Sequence, residues 1–516
     1  MAWLSRFYGG KYMFCSVLSG GIRGIESFPV HVETDISSGM PCFEIVGYVG
    51  SEVREAKDRV RTALRNAGYM MPVARITVNL SPADIRKSGS AYDLPMALSI
   101  LTCMGVIDAA AVNGIFAAGE VSLSGNVCAI KGILPMIMMA KTLGVKKCII
   151  PAANAREGAV IEGMEVYTVS SIAEAARFLA GECKLRPVVS SLSRDLLAGH
   201  SYDNDFIQIK GQKTARRGAE IAAAGLHNFI MVGPPGAGKT LIAKCIPSIM
   251  PPLCEEECLE VSSVYSVRGA LDADKPVITS RPFVSAHSSS TDISLVGGGA
   301  RPIPGAVSLA HKGVLFLDEL PEFSRKALEA LRQPLEDRMV HITRNRDICV
   351  FPADCMLVAA MNPCPCGHYP DMNRCTCNTS QRARYMSKIS GPFLDRMDIC
   401  VVTEKVTPFD IQSGSDPECS KDILERVIAA HRIQKKRFEG SGILFNSQMN
   451  NKEIEKYCRL GDKQQALMKK MALRYDMSAR TYYRVLKVAR TISDLSGTDD
   501  ITEEALLEAV RLKVSF

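Results

Sequence analysis

Short apolar runs closed by turn residues alternate with amphipathic stretches along most of the 516-residue chain. A period of two giving way to a period of 3.6, repeatedly, predicts a mixed α/β protein. Within 14–183, His31-Val32-Glu33-Thr34-Asp35-Ile36 and Arg75-Ile76-Thr77-Val78-Asn79 predict strands, and 51–67, 92–104 and 133–143 predict helices. Residues 1–13 read as an extension outside the pattern. Pro, Ser, Gly, Asp and Asn without periodicity make 184–205 a linker. A second α/β domain is expected over 206–405, where Phe229-Ile230-Met231-Val232, Val314-Leu315-Phe316-Leu317, Met356–Met361 and Ile399–Val402 are uninterrupted apolar runs suited to a sheet buried on both faces. Helices are expected over 213–225 and 322–338, the second with Ala327, Leu328, Leu331 and Leu335 on one face. Met339 to Val350 reads as a β-hairpin. From 406 to 516 the period is helical only, with stretches at 419–437, 450–458, 462–475, 478–495 and 502–512, which predicts a small helical lid.

The chemistry gathers at the ends of the apolar runs. Gly233-Pro234-Pro235-Gly236-Ala237-Gly238-Lys239-Thr240 follows one strand and opens a helix, the setting of a phosphate-binding loop. Its glycines let backbone N–H groups point at an anion, Lys239 reaches the β/γ-phosphates of ATP, and the Thr240 hydroxyl can ligate Mg²⁺. The run 314–317 ends in Asp318-Glu319, where Asp318 would hold Mg²⁺ through water and Glu319 would orient the attacking water. The run 356–361 ends in Asn362, a polar residue where the γ-phosphate should lie. Gln212 and its neighbours precede the phosphate loop and are expected over the adenine.

Four further features have both a functional and a plain reading. Cys364-Pro365-Cys366 and Cys375-Thr376-Cys377 can close a tetrahedral Zn²⁺ site, although C-x-C is tighter than the usual knuckle and reduced, unliganded cysteines are the alternative. Arg396, in Asp395-Arg396-Met397-Asp398, suits an arginine finger that enters a neighbouring subunit's ATP site, with a surface ion pair as the alternative. Arg480, one residue past the Ser478-Ala479 start of the longest helix, suits a second phosphate sensor, with Arg484 and Arg490 as competitors. Arg344 and Arg346 at the hairpin tip and Arg382 and Arg384 on a basic helix over 381–390 suit DNA backbone contact, or are simply solvated. Ser294 to Ala306, with Gly297-Gly298-Gly299 followed by Pro302 and Pro304, reads as a mobile inserted loop, either a pore loop or a passive excursion.

Composition changes this picture little. Apolar content of 47% is ample for two or three domains, and a net charge of +7 is compatible with nucleic acid without arguing for it. No charge-free apolar stretch nears the ~18 residues of a membrane span, and the first residues lack a signal peptide's apolar region. Most of the 18 cysteines are scattered singly among apolar residues, as in reduced proteins. A cytoplasmic location without membrane contact is expected.

Two resemblances add to the residue reading. Asn79 to Pro95, with Gly89-Ser90-Ala91-Tyr92-Asp93, is similar to the nucleophile region of the Lon-type protease domain, and Ile130-Lys131-Gly132 to the stretch bearing its lysine. That implies a Lon-like, ribosomal S5 domain 2-like fold for 14–183. The nucleophile position falls at about Ala91, so proteolysis is not implied, and Lys131 is expected as a surface or ligand-contacting cation. The phosphate loop, Leu317-Asp318-Glu319-Leu320-Pro321-Glu322-Phe323, Met361-Asn362-Pro363-Cys364-Pro365-Cys366-Gly367, Gly391 to Asp398 and Ala479 to Ile492 together resemble the magnesium-chelatase-like AAA+ ATPases of the YifB/ComM type, over nearly the entire chain. This resemblance implies a ring, a hexamer, that hydrolyses ATP between subunits and moves branched or single-stranded DNA as a branch-migration helicase in recombination and natural transformation. The residues themselves leave metal insertion and protein remodelling open as cargo classes.

Overall fold

A computed structural model describes residues 13–189, 202–272, 274–344, 347–405 and 418–514. The chain divides into two compact units, Met1–Gly199 with Ser262–Ile278, and His200–Val261 with Thr279–Phe516. Residues 1–12 of the expected extension, 190–201 of the linker, 406–417 at the expected lid boundary, and Arg346 lie outside the described residues.

The first unit is built on a seven-stranded mixed sheet in the order Cys42–Val46, Arg75–Ser81, Glu26–Ser37, Met13–Arg23, Ile115–Ala117, Lys147–Pro151, Glu165–Val169. Its long antiparallel pair, Met13–Arg23 with Glu26–Ser37, alternates faces, so Val30, Val32 and Thr34 are buried. Helix Asp93–Cys103 is buried at every position, which explains its nearly unbroken apolar sequence. Helix Ser51–Asn66 is amphipathic and buries Val53, Ala56, Val60, Ala63 and Leu64. Arg59 grips the buried Asp93 with two hydrogen bonds, 2.9 and 3.0 Å. Burial still pushes the Asp93 carboxyl up to about 6, against the pull of Arg59.

In the second unit a five-stranded, wholly parallel sheet runs in the order Phe283–Ala286, Val314–Leu317, Met356–Met361, Phe229–Val232, Ile399–Val402. Val232 lies level with Met361 and with Val402. The parallel register therefore brings Gly233–Thr240, Asp318 and Asn362 to one carboxyl edge, where ligands bind in open α/β sheets. Helices Ser420–Arg437, Asn451–Tyr457, Asp462–Arg474, Ala479–Leu495 and Glu503–Val514 follow. Their Val427, Ala430, Val485, Ala489 and Leu506 join the same apolar core as Ala219, Ala223 and Ile399 of the sheet layer.

Two expectations are corrected. The helix expected over 322–338 is broken into Arg325–Ala330 and Arg332–Asp337. Pro334 has no N–H to donate to Ala330, and Arg338 ends the second piece in the left-handed region at φ 55°. Ser294–Ala306 is not a structureless loop: Gly297–Gly298 pairs with Ile303–Pro304 as a small hairpin after helix Asp292–Val296. Glycine is required there, since Gly297 has φ 106° and a Cβ on it would lie 2.5 Å from the Ile303 carbonyl oxygen.

Candidate functional site

The loop after strand Phe229–Val232 turns on Gly236 and Gly238, at φ 77° and 79°, which only glycine adopts without strain. Gly233 has no room for a side chain, because a Cβ would sit 2.1 Å from Thr403 Oγ1. Lys239 begins the following helix, Lys239–Cys245. Its Nζ donates to the carbonyls of Gly233 and Pro234, at 2.7 and 2.9 Å, and to Asn362 Oδ1 at 3.2 Å. Burial lowers the Lys239 pKa, with Asp318 pulling the other way. The Thr240 hydroxyl donates to Asp318 Oδ2 at 2.9 Å. Two hydrogen-bonded pairs, Lys239 with Asn362 and Thr240 with Asp318, thus stand side by side at consecutive loop residues, with a cation for phosphate and a hydroxyl and a carboxylate for a hard divalent ion. Glu319 stands beside it in the left-handed region, at φ 52°, its N–H held by Asp318 Oδ1. The Glu319 side chain is exposed at the open edge.

Gln212 is next to the loop, but its amide is engaged. Its Nε2 donates to the carbonyls of Ala237 and Glu404, and its Oε1 accepts from the Glu404 N–H. It ties the phosphate loop to the segment that follows strand Ile399–Val402, which leaves no amide hydrogen for a base.

Immediately beyond Asn362, the four cysteines converge. Cys364 and Cys366 Sγ are 3.4 Å apart, Cys364 and Cys375 3.8 Å, and Cys366 and Cys375 3.7 Å. All four sulfurs, Cys377 included, lie within 4.8 Å of one another. A Zn–S bond of about 2.3 Å gives a tetrahedron with edges of roughly 3.8 Å, so this donor set fits zinc. The Tyr369 N–H points at Cys364 Sγ, 3.5 Å away, and the His368 N–H, foremost among several hydrogen bonds, holds the Cys366 thiol down to about 5.

Arg396 and Arg480 come together, away from their own phosphate loop. Both guanidinium groups pair with Glu336, Arg396 at 2.7 Å. Arg396 is buried and also donates to the carbonyls of Arg332 and Pro392. Its main-chain carbonyl accepts from Asn228 Nδ2 and Arg484 Nη1. Asn228 lies at the amino end of strand Phe229–Val232, whose four residues separate it from the loop by about 13 Å at ~3.3 Å per residue. Burial, then Arg332 and Arg484, lower the Arg396 pKa; burial, then Arg484 and Arg332, lower that of Arg480. The guanidinium groups of Arg332, Arg396, Arg480 and Arg484 therefore lie near one another, with Glu336 pairing Arg396 and Arg480 and Glu329 pairing Arg332. Arg484, named only as a competitor of Arg480, instead holds the buried Asp398, and Arg490 caps its own helix through Asp494 and the carbonyls of Thr498 and Asp499. Glu336 escaped sequence reasoning because no spacing links position 336 to 396 and 480.

The arginines read as DNA contacts are scattered. Arg344 ends strand Met339–Arg344 of the expected hairpin, paired with Asp347–Pro352. Arg382 stacks over the Tyr369 ring at 4.3 Å and so packs on the cysteine module, while Arg384 is exposed on helix Thr379–Met386. In the first unit the Ser90 hydroxyl donates to Glu120 and Ala91 is buried. Lys131 lines a separate cavity of about 520 Å³ with Asn154, Arg156, Glu157 and Ser266. A Ser90–Lys131 hydrogen bond is not found among the described residues. No helix among them is long and apolar enough to cross a membrane, and all 18 cysteines are free thiols.

Comparison with known proteins supplies the family. Three family models match in order along the chain: "Subunit ChlI of Mg-chelatase" over residues 32–154, "Magnesium chelatase, subunit ChlI" over 205–411, and "Magnesium chelatase, subunit ChlI C-terminal" over 417–513. The chain is 39% identical over 498 residues to Competence protein ComM of Haemophilus influenzae, covering 96% of each. It is 39% identical over 490 residues to the uncharacterized protein YifB of Salmonella typhimurium, covering 94% of each. A shorter match, 32% identical over 127 residues, 24% of this chain and 22% of the other, joins it to Lon protease 2 of Bacillus subtilis. The family brings with it an AAA+ ATPase and the use of ATP and Mg²⁺. With near full-length identity to both ComM and YifB, the chain belongs to the YifB/ComM-type magnesium-chelatase-like AAA+ family.

Proposed function

We propose that this protein is a ring-forming motor, a hexamer, that hydrolyses ATP at its subunit interfaces and moves branched or single-stranded DNA as a branch-migration helicase in recombination and natural transformation. The observation that carries the ring is the separation of one catalytic set into two places on one chain. Lys239, Thr240, Asp318 and Asn362 are gathered at the carboxyl edge of the sheet, whereas Arg396 and Arg480 share Glu336 at the other end of strand Phe229–Val232. Arg396 and Arg480 share a single carboxylate, Glu336, and the positive charge left over invites an external polyanion; a neighbour's triphosphate is that anion. In this reading Lys239 and the loop N–H groups bind the phosphates, and Thr240 and Asp318 hold Mg²⁺. Glu319 and Asn362 orient the attacking water, and Gln212 braces the loop. Arg396 and Arg480 both act in trans. The four cysteines hold zinc. A cytoplasmic location, where thiols stay reduced, suits all of this.

DNA as the cargo rests on the hairpin that carries Arg344, on Arg384, and on the name of the Haemophilus relative, a competence protein. Purified protein with ATP and Mg²⁺ should unwind a synthetic branched DNA, and Glu319→Gln should bind the same DNA without unwinding it. Turnover stimulated by unfolded protein and indifferent to DNA would identify a remodelling factor instead. Stimulation by neither, with magnesium inserted into a porphyrin alongside companion subunits, would identify a chelatase-type motor.

A further inference from the structure

The cysteine quartet sits where it can govern the ATP site. Only Pro363 separates Asn362, which accepts from Lys239 Nζ, from Cys364, the buried corner of the quartet. The Cys364 to Gly367 segment closes as a turn, the Gly367 N–H donating to the Cys364 carbonyl at 3.0 Å. That turn lies directly on the phosphate loop. A Cβ added to Gly367 would be 2.7 Å from Pro235 Cδ and 3.8 Å from Asn362 Cγ. The second cysteine pair, Cys375 and Cys377, belongs to the far arm of the module, where Arg382 stacks on Tyr369.

We infer that the zinc held by Cys364, Cys366, Cys375 and Cys377 acts as a strut for hydrolysis. It fixes the turn that lies on Pro235 and fixes Asn362 over the phosphates, so that losing the metal slows turnover while leaving nucleotide binding in place. The physical reason is the leverage of the turn. Without an ion no coordinate bond ties the Cys375–Cys377 arm to Cys364 and Cys366, whose sulfurs lie 3.4 Å from each other and 3.7 to 3.8 Å from that of Cys375, and the turn is free to open. Among the described residues the Asn362 side chain has one hydrogen bond, to Lys239, and would swing with the turn. Lys239 keeps its loop carbonyls and its place on the helix, so phosphate binding survives. Asn362 is here a positioning target and the cysteines positioning residues; none of the four touches the nucleotide. The inference rests on the ATP-hydrolysis reading and on the zinc assignment.

The test uses the full chain purified under reducing conditions without added metal. Metal analysis should find about one zinc per chain, and Cys375→Ser with Cys377→Ser, on the far arm, should lose it. That variant should bind a fluorescent ATP analogue within about twofold of the native chain, while kcat falls about 10²-fold, the effect of losing one oriented polar group. Asn362→Ala should lose a similar amount, and removing zinc from Asn362→Ala should cost nothing further, because both act through one group. Iron or no metal in the native chain overturns the zinc assignment and leaves the ATPase intact. Zinc lost with kcat unchanged overturns the strut alone. A zinc-loaded native chain without ATPase activity overturns the reading beneath both. Should the double variant fail to fold, Gly367→Ala keeps every cysteine and drives a methyl into Pro235. It should retain zinc and lose turnover, and unaltered turnover there also refutes the strut.

Discussion

Replacing Arg396 by alanine removes a guanidinium whose hydrogens are already partly assigned. Its Nε–H goes to the Arg332 carbonyl, one Nη1 hydrogen to Pro392 and one Nη2 hydrogen to Glu336. Of the five N–H donors of arginine, 5 − 3 leaves about two free to meet a phosphate. Charge-assisted hydrogen bonds are worth about 1.5–3 kcal/mol each, so the pair contributes about 3–6 kcal/mol. At 1.36 kcal/mol per factor of ten, Arg396→Ala should lower kcat by about 10²- to 10⁴-fold. The informative assay mixes it with Lys239→Ala, which keeps Arg396 but cannot hold phosphate. Each alone should be inactive. In a ring assembled at random from equal parts, an intact loop faces an intact arginine at about one interface in four, ½ × ½, so turnover should recover to about a quarter of the native rate. Arg480→Ala mixed with Lys239→Ala should recover likewise, because Arg480 shares Glu336. Mixtures that stay dead at every ratio would refute the trans assignment, and Arg396→Ala active on its own would refute any catalytic role.

Other expectations concern chemistry and stability. Glu319→Gln keeps the loop cluster but loses the base that orients water, so ATP should remain bound while single-turnover hydrolysis slows about 10²- to 10⁴-fold; normal hydrolysis would remove Glu319 from the mechanism. Asp398 is buried, and Arg484, His227 and the Asn228 N–H hold its carboxyl well below the ordinary range despite the burial that opposes them. Asp398→Ala would strand Arg484, and urea unfolding should show a loss of about 3–5 kcal/mol; under about 1 kcal/mol would contradict the network's role. Burial, aided by Arg281 and Lys435, holds the His431 imidazole down to about 4, against 6.5 for the ordinary group. A folded-state pKa below the unfolded one means the unfolded chain binds the proton first. Stability is therefore full above pH ~7 and falls by about 2 kcal/mol between pH 7 and pH 5 through this group. His227, buried and lowered in the same direction, adds to the slope, so His431→Gln should shrink it, and a slope unchanged by that substitution would refute the assignment.

The parts of this molecule legible from sequence are those fixed by local physics. Phe229–Val232, Val314–Leu317, Met356–Met361 and Ile399–Val402 are apolar on both faces because a parallel sheet has no wet side, and each run appears as a strand at the expected residues. Strong periodicity likewise located the helices Ser51–Asn66, Lys213–Gly225 and Ala479–Leu495. The broken helix over 322–338 was misread because apolar spacing persists across Pro334, while the lost hydrogen bond is visible only in the backbone. At the site, the order of strands was enough to suggest that Lys239, Asp318 and Asn362 meet. It could not reveal that Gln212 is consumed by Ala237 and Glu404, or that Ser262–Ile278 belongs to the first unit. Those facts depend on contacts between residues far apart in the chain, and a single sequence carries no signal of such pairing.

The strand Phe229–Val232 is where these observations meet. Its carboxyl end carries the phosphate loop, and Asn228 at its amino end binds the Arg396 carbonyl through Nδ2, the Leu357 N–H through Oδ1 and Asp398 through its own N–H. Asp398 in turn holds Arg484 on helix Ala479–Leu495, and His227 holds Thr491 of that helix. Arg396, proposed above to serve a neighbour, is thus held to the same strand that bears the chain's own phosphate loop, with the helix of Arg480 alongside. The four residues of that strand are buried at every position in a close-packed interior. Asn228 therefore offers a short packed route between the phosphate loop and Arg396. Under the ring proposed above, the nucleotide state of one site would therefore bear on the position of the arginine delivered to the next.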